Sequence, residues 1–357
     1  MATPASTKQN AHHNPGLVIR AFSSPVQAPD IRLNVLGINE FHTHSFLLKH
    51  HSAFFRTFLD SPDKQHGDKL RNPEEITDVE RRAGKVTGFR YEWVTQIDTD
   101  GKGWHLVAAS NVQSGPPSPY NLTQRLFQAE LFHKLLCAIY NRPFDIFALT
   151  QLISLVEMAD YYRMLPALSS TLDGVLHRSA KNIAREFDGE ALQVLPAAAK
   201  VRNELLFRET LIFLLGPYDN PRYTKLDDPK LLKIAELAHT KLWAKIGRTQ
   251  KDLWDRATVD HQQLDHKVQF LNTCAKIASF PEGGGMQFPA YYRRLVDTHP
   301  QHPFRDDVVG IMHSDLKLAQ NMYAGDLQAG VGEYKRYFFC DLLDKKDLPW
   351  NPEETDW

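Results

Sequence analysis

Between Ile31 and Val35 apolar and polar positions alternate, with Ile31, Leu33 and Val35 set against Arg32 and Asn34. A period of two is the signature of a strand with one buried face. Gly37 and Asn39 then supply turn chemistry, which predicts a hairpin. From His44 the spacing changes. Leu48, Ser52 and Phe55 share one helical stripe, with Leu47 and Leu59 beside them, and Thr43 or Ser45 stands where it can cap the start. A Ser on an apolar stripe reads as a close-packing residue whose hydroxyl bonds back to the preceding turn, so Ser52 belongs to the core and is not a nucleophile.

The pattern breaks after Leu59 at SPDKQHGDKLRNPEE, a polar, proline-containing stretch read as a loop or insertion. FRYEWVTQI and WHLVAAS flank the turn DTDGKG and predict a second hairpin. SGPPSPYN, Ser114 to Asn121, is another loop signal. Helical spacing returns at Phe132, Leu135, Leu136, Ile139 and Tyr140, and again at Leu149, Leu152, Ile153, Val156 and Ala159. Beyond His177 the pattern is mostly helical: from Leu192 to Leu215 with a stop at Gly216-Pro217, over Leu231 to Ile246 with lysines on the opposite side, over DHKVQFLNTCAKIA, and from Asp306 to Tyr323.

The run Asp30, Phe41, His44, Leu48, Ser52, Phe55 resembles the front half of a BTB/POZ domain, whose pattern is a strand-opening Asp, a strand ending Phe-x-x-His and a helix with Leu, Ser and Phe at set spacings. Leu136 and Tyr140 resemble that family's Leu-x-x-Tyr phrase, one residue further apart. LVEMADYYRMLPAL resembles its closing helical hairpin. The resemblance implies an α+β fold, a small mixed sheet flanked by a helical cluster, followed by a mostly α-helical C-terminal region loosely similar to a BACK-type extension. The implied organisation is a disordered segment over 1–27, a BTB/POZ-like domain over 28–176 with an insertion around 61–120, a helical domain over 177–345 and an acidic tail over 346–357. It also implies a non-catalytic protein-protein interaction adaptor with protein partners, self-association among them. A narrower version is a substrate adaptor of a cullin-type ubiquitin ligase, although the apolar-x-Glu motif of many such adaptors has no counterpart in SPDKQHGDK. An enzyme with its site in the helical half is the alternative, to be recognised by a concave pocket of convergent polar groups within residues 177 to 340.

Charge and chemistry narrow the reading. The 357 residues carry 42 basic and 43 acidic side chains, so no global basic field exists to hold nucleic acid or an anionic membrane. No apolar run approaches a membrane span and no secretory signal is visible, which points to the cytoplasm or nucleus. Cys137, Cys274 and Cys340 are too scattered for a disulfide framework or zinc knuckle. DTDGKG begins like a calcium loop, but Lys102 and Ala109 occupy positions that need oxygen ligands. His42, His44, His50 and His51 lack partner ligands at zinc spacing and read as structural. EGGGMQ lacks the Lys and Ser/Thr of a phosphate-binding loop and reads as a flexible loop. Tyr334, Tyr337, Phe338 and Phe339 read as one packed face of a short helix, and PWNPEETDW as either a docking peptide or a tail packed on its own domain. No catalytic residue, cofactor or metal is expected.

Overall fold

The computed structural model describes residues 17–25, 27–59, 88–112, 118–259, 264–279, 286–298, 305–318 and 327–354. The insertion read over SPDKQHGDKLRNPEE, most of EGGGMQ and the final Trp357 lie outside the described residues. Contacts divide the chain into two compact units, Met1–Tyr140 and Asn141–Trp357. The fold is α+β: a five-stranded mixed sheet in the first unit and an all-helical second unit among the described residues. By contacts the LVEMADYYRMLPAL helices group with the second unit.

In the first unit the strands are β1 (Val18–Ala21), β2 (Ile31–Val35), β3 (Asn39–Thr43), β4 (Tyr91–Ile97) and β5 (Trp104–Ala108), in the order β1-β3-β2-β4-β5. β2 and β3 form the expected antiparallel hairpin, β4 lies parallel to β2, β5 closes a second hairpin, and β1 runs parallel to β3. β1 corrects the reading of residues 1–27 as disordered where those residues are described. The β2-β3 turn is made by Leu36 and Gly37, both left-handed at φ 54° and 64°, while Asn39 is already in β3. A left-handed leucine is costly. Two remote side chains hold it: Thr95 Oγ1 accepts its N–H at 2.8 Å, and the Arg125 guanidinium donates to its carbonyl at 2.5 and 3.0 Å.

The helical stripe after His44 is two helices, α1 (Ser45–His51) and α2 (Ala53–Phe58). Ser52 is extended between them, and its hydroxyl accepts the Phe55 N–H at 3.1 Å. It is therefore the N-cap of α2 and not a mid-helix residue bonding backwards, because an extended Ser satisfies a donor that the new helix would otherwise leave unpaired. Helix α3 (Leu122–Ile139) starts earlier than the apolar spacing suggested, fixed by a capping box between Asn121 and Gln124.

The second unit contains α4 (Leu149–Tyr161), α5 (Leu165–Ile183), α6 (Phe187–Lys200), α7 (Glu204–Leu214), α8 (Pro229–Val259), α9 (Leu264–Ile277), α10 (Phe288–Thr298) and α11 (Arg305–Met312). The run from Leu192 to Leu215 breaks into α6 and α7 at Asn203, whose side chain accepts the Leu206 N–H at 2.8 Å. The helix expected from Asp306 to Tyr323 stops at Met312; residues 313–318 are non-helical and buried Glu209 of α7 accepts the N–H groups of Lys317 and Leu318 at 2.8 and 3.0 Å. Tyr334, Tyr337, Phe338 and Phe339 are buried, but only Tyr334 lies in a helical turn. Trp350 packs edge-on against Phe207 at 5.4 Å, and Arg202 pairs with Glu354 at 2.7 Å, so the described part of the tail folds onto its own unit.

Gly216 lies directly under the Tyr337 ring, so that a Cβ there would penetrate it. Gly216→Ala is expected to lower unfolding stability by about 1–3 kcal/mol through overpacking, seen as a lower urea midpoint. His239 Nε2 donates to the Tyr218 carbonyl at 3.1 Å while Nδ1 faces the Tyr223 hydroxyl at 3.2 Å, and burial, partly offset by the Tyr218 bond, lowers its pKa below 6.5. Unfolding restores the ordinary value, so below pH 6.5 the unfolded chain binds the proton that the folded chain refuses. This contribution is expected to be complete above that pH and to be lost as pH falls towards the folded value, with His239→Gln flattening the profile in denaturant titrations.

Candidate interaction surface

The first unit is organised around two polar anchors. Asp30, just before β2, accepts the Ser45 N–H at 2.7 Å and the Ser45 hydroxyl at 2.5 Å, which fixes where α1 starts. Neither Thr43 nor Ser45 caps that helix; His44 occupies the N-cap position without a side-chain cap bond. His44 turns instead towards Tyr140, the C-cap of α3. Its backbone N–H donates to the phenol oxygen at 2.8 Å, the phenol hydrogen goes to Nδ1 at 2.6 Å, and Nε2 donates to the Gln27 carbonyl at 2.8 Å. One proton arrangement satisfies all three bonds, with Nδ1 as acceptor and the hydrogen on Nε2. Leu48, Ser52 and Phe55 are fully buried in the same unit, so the residues singled out by pattern all serve its interior.

The remaining histidines are placed separately. His42 bonds Glu40 at 2.8 Å and packs on Phe89, while the His50 and His51 rings meet edge-on at 4.7 Å. Burial and the neighbouring His50 lower the His51 pKa. Among the described residues no group of three His, Cys, Asp or Glu side chains is placed to hold a metal ion. DTDGKG forms the β4-β5 turn, where Asp98 bonds His105 at 2.6 Å.

One chemical cluster was not singled out in the sequence. Glu130, His133 and Cys137 line one side of α3, with His133 Nε2 at 3.6 Å from the Cys137 sulfur and Nδ1 at 3.5 Å from Glu130. The spacing of three and four residues was the available signal. Arg20 of β1 decides what the cluster does. Its guanidinium can only donate, and it sits 2.7 Å from His133 Nδ1, so that nitrogen accepts and Nε2 carries the hydrogen towards sulfur. The imidazole is thus in the wrong tautomer to take a proton from Cys137. Burial acts to raise the Glu130 pKa, but the charges of Arg20 and Lys134 work against it and the carboxyl is left lowered. The cluster ties β1 to α3.

The surface of this unit has a feature that does not suit an isolated fold. α3 carries apolar residues on every side, and such a helix is stable only when covered all round. Leu131, Phe132, Leu135 and Leu136 are covered, whereas Leu122, Leu126 and Phe127 are 41, 45 and 38% exposed. β1 follows α3 along its length: Val18 bonds Ile38 in the turn region that Arg125 clasps, Arg20 reaches Glu130 and Phe22 packs on Tyr140. Among the described residues β1 is an edge strand, with Ile19 61% exposed. An open strand edge beside an uncovered apolar helix end is an arrangement that a partner can complete.

In the second unit a cavity of about 460 Å³ is lined by Ser279, Gln287, Arg293, Arg294, Asp297 and Lys335. It lies within the span where an enzyme site was to be sought. Ser279 donates its hydroxyl to the Ala275 carbonyl at 2.8 Å, and the described lining residues include no imidazole or thiol to pair with it. No helix among the described residues is long and apolar enough to cross a membrane. Comparisons with protein-family models, with curated proteins and with solved structures find no match.

Replacing Tyr140 with Phe strands both the His44 N–H and Nδ1. The expected cost is about 2–4 kcal/mol of unfolding free energy, from two buried groups losing their partner, measurable by urea denaturation followed through far-ultraviolet circular dichroism.

Proposed function

We propose that this chain is a non-catalytic protein-protein interaction adaptor acting through a BTB/POZ-type first unit, with the helical second unit carrying a separate binding capacity. The observation that carries the reading is the exposed apolar end of α3 beside the edge of β1 that no described strand pairs with. The hairpin followed by a helix pair broken at a capping Ser52, with His44 clasped by Tyr140, supports the BTB/POZ part, since these are the residues on which the resemblance rests.

The magnitudes favour a strand-edge contribution. Covering the part of Ile19, Leu122, Leu126 and Phe127 that is still exposed contributes roughly 0.6–1.8 kcal/mol each, and association costs about 4–15 kcal/mol before any affinity appears. The apolar residues alone therefore support weak complexes. Main-chain bonds to the β1 edge add the rest, by extension of the sheet. A neutral overall charge suits a protein partner better than a polyanion.

The test is affinity purification of the full chain followed by size-exclusion light scattering, in parallel with a variant carrying Ile19→Asp and Leu126→Asp. The expected result is a stoichiometric protein assembly, with itself or another chain, that the variant loses while its circular dichroism is unchanged. A monomer that recovers no protein, or an assembly indifferent to the two substitutions, would overturn the reading. Recovery of a cullin with its ring-finger subunit would extend it to the ligase-adaptor version.

A further inference from the structure

The stretch SGPPSPYN holds a feature that neither the fold nor the interaction surface uses, the dipeptide Ser118-Pro119 just before α3. Residues 118–120 belong to no helix or strand, and Ser118 and Pro119 are both exposed. A proline has no N–H and biases the residue before it towards extended backbone. A serine in that setting presents its hydroxyl on an extended chain with no ladder bond to break, which is what a kinase active site has to be offered. The proline also selects the class of kinase, one whose pocket after the acceptor serine asks for no backbone donor. The other described Ser-Pro dipeptide, Ser24-Pro25, is the contrast: Ser24 is half-buried, two residues after Phe22, whose ring is packed on Tyr140 in the interior.

The surroundings of Ser118 fix where a phosphate would stand. Its Oγ accepts the Tyr120 N–H at 3.4 Å, longer than an ordinary hydrogen bond and cheap to give up. Oγ is the atom that would carry the phosphoryl group, so the new charge stays within a few ångströms of Tyr120. Tyr120 donates its hydroxyl to the Lys102 carbonyl at 2.6 Å in the β4-β5 turn. With Thr123, Gln124, Phe127 and Gln128 it lines a hollow of about 300 Å³ on α3. Phe127 is also one of the exposed apolar residues of that helix end, beside Leu122 and Leu126. Burial first, and then the charges of Asp98 and Asp100, push the Tyr120 pKa up, so carboxylates already act on this corner. Arg125 of α3 is engaged with the Leu36 carbonyl.

We propose that Ser118 is the acceptor of a proline-directed kinase, and that its phosphate weakens the hold of a partner on the apolar end of α3. In the transfer Ser118 Oγ attacks the γ-phosphorus of ATP, the bond to the bridging oxygen breaks with release of ADP, and the hydroxyl proton passes to the catalytic base of the kinase. The product carries about two negative charges at the rim of the hollow. A partner that covers Leu122, Leu126 and Phe127 then has to strip water from that phosphate, a cost that apolar contact does not return. The effect on the partner rests on the interaction reading above; the modification itself does not.

The experiment incubates the full chain with ATP and a purified cyclin-dependent kinase, treats Ser118→Ala and Pro119→Ala alike, and reads the modified positions by peptide mass mapping. Ser118 is expected to take up phosphate faster than Ser24, and Pro119→Ala to lose that uptake with the serine still in place. Light scattering then compares treated and untreated chains. Phosphorylation is expected to weaken the assembly at least about tenfold. Treated Ser118→Ala is expected to stay assembled, which assigns the effect to this serine and not to Thr3 or Ser61, the further acceptors before proline that lie outside the described residues. Ser118 left unmodified while a Ser-Pro control peptide is fully phosphorylated, uptake indifferent to Pro119, or an assembly equally tight with and without the phosphate would overturn the proposal. Uptake at Ser118 by a chain that is monomeric before treatment would support the site and overturn the interaction reading instead.

Discussion

The first unit depends on one histidine. His44 closes the strand hairpin, precedes α1 and contacts through its three nitrogens the chain leading into β2 and the C-cap of α3. These segments are distant in sequence, and each presents a buried polar group that would cost free energy if left unpaired. The tyrosine hydroxyl both accepts and donates, which is why a single phenol satisfies two imidazole-residue nitrogens. Asp30 and Ser45 repeat the principle one residue away. With these groups paired, the sheet and α1 to α3 can share an interior built on Leu33, Phe41, Leu48, Phe55, Trp93 and Phe132.

The second unit uses the same logic on its irregular C-terminal segment. Residues 327–354 contain little regular structure, so their backbone groups need partners elsewhere. α7 supplies one, where Arg208 donates to the Leu343 carbonyl at 2.5 Å while pairing with Asp341 at 2.9 Å, and Glu209 does the same for the separate non-helical stretch before it, taking the N–H groups of Lys317 and Leu318. Asp188 adds a bond from the Tyr337 hydroxyl at 3.2 Å and an ion pair with Arg222.

Two surfaces stand out among the described residues, and they differ in kind. One is apolar and linear, a helix end beside a strand edge, suited to another polypeptide. The other is concave, the cavity beside Gly330 in the second unit. The Glu130-His133-Cys137 cluster illustrates why proximity alone does not make a reactive site. Arg20 occupies the nitrogen that would have to pass the hydrogen on, and the imidazole is left as a structural link.

Much of the fold was legible in the chain, because periodicity reports which face of an element is buried. The alternation at Ile31 to Val35, the hairpin around DTDGKG and the amphipathic run at Leu231 to Ile246 all correspond to elements in place. The Asn121-Gln124 capping box was there to be read too, but the loop signal before it masked the start of α3. What the sequence could not decide were roles that depend on a remote partner. Ser52 became a cap because the backbone is extended there, Leu36 took a glycine-like conformation because Thr95 and Arg125 hold both its backbone groups, and Val18–Ala21 became a strand because β3 offered it an edge. The cavity in the second unit was invisible for the same reason: Arg293, Arg294 and Lys335 line it together only because a left-handed Gly330 lets their two segments touch, and periodicity carries no record of such long-range contacts.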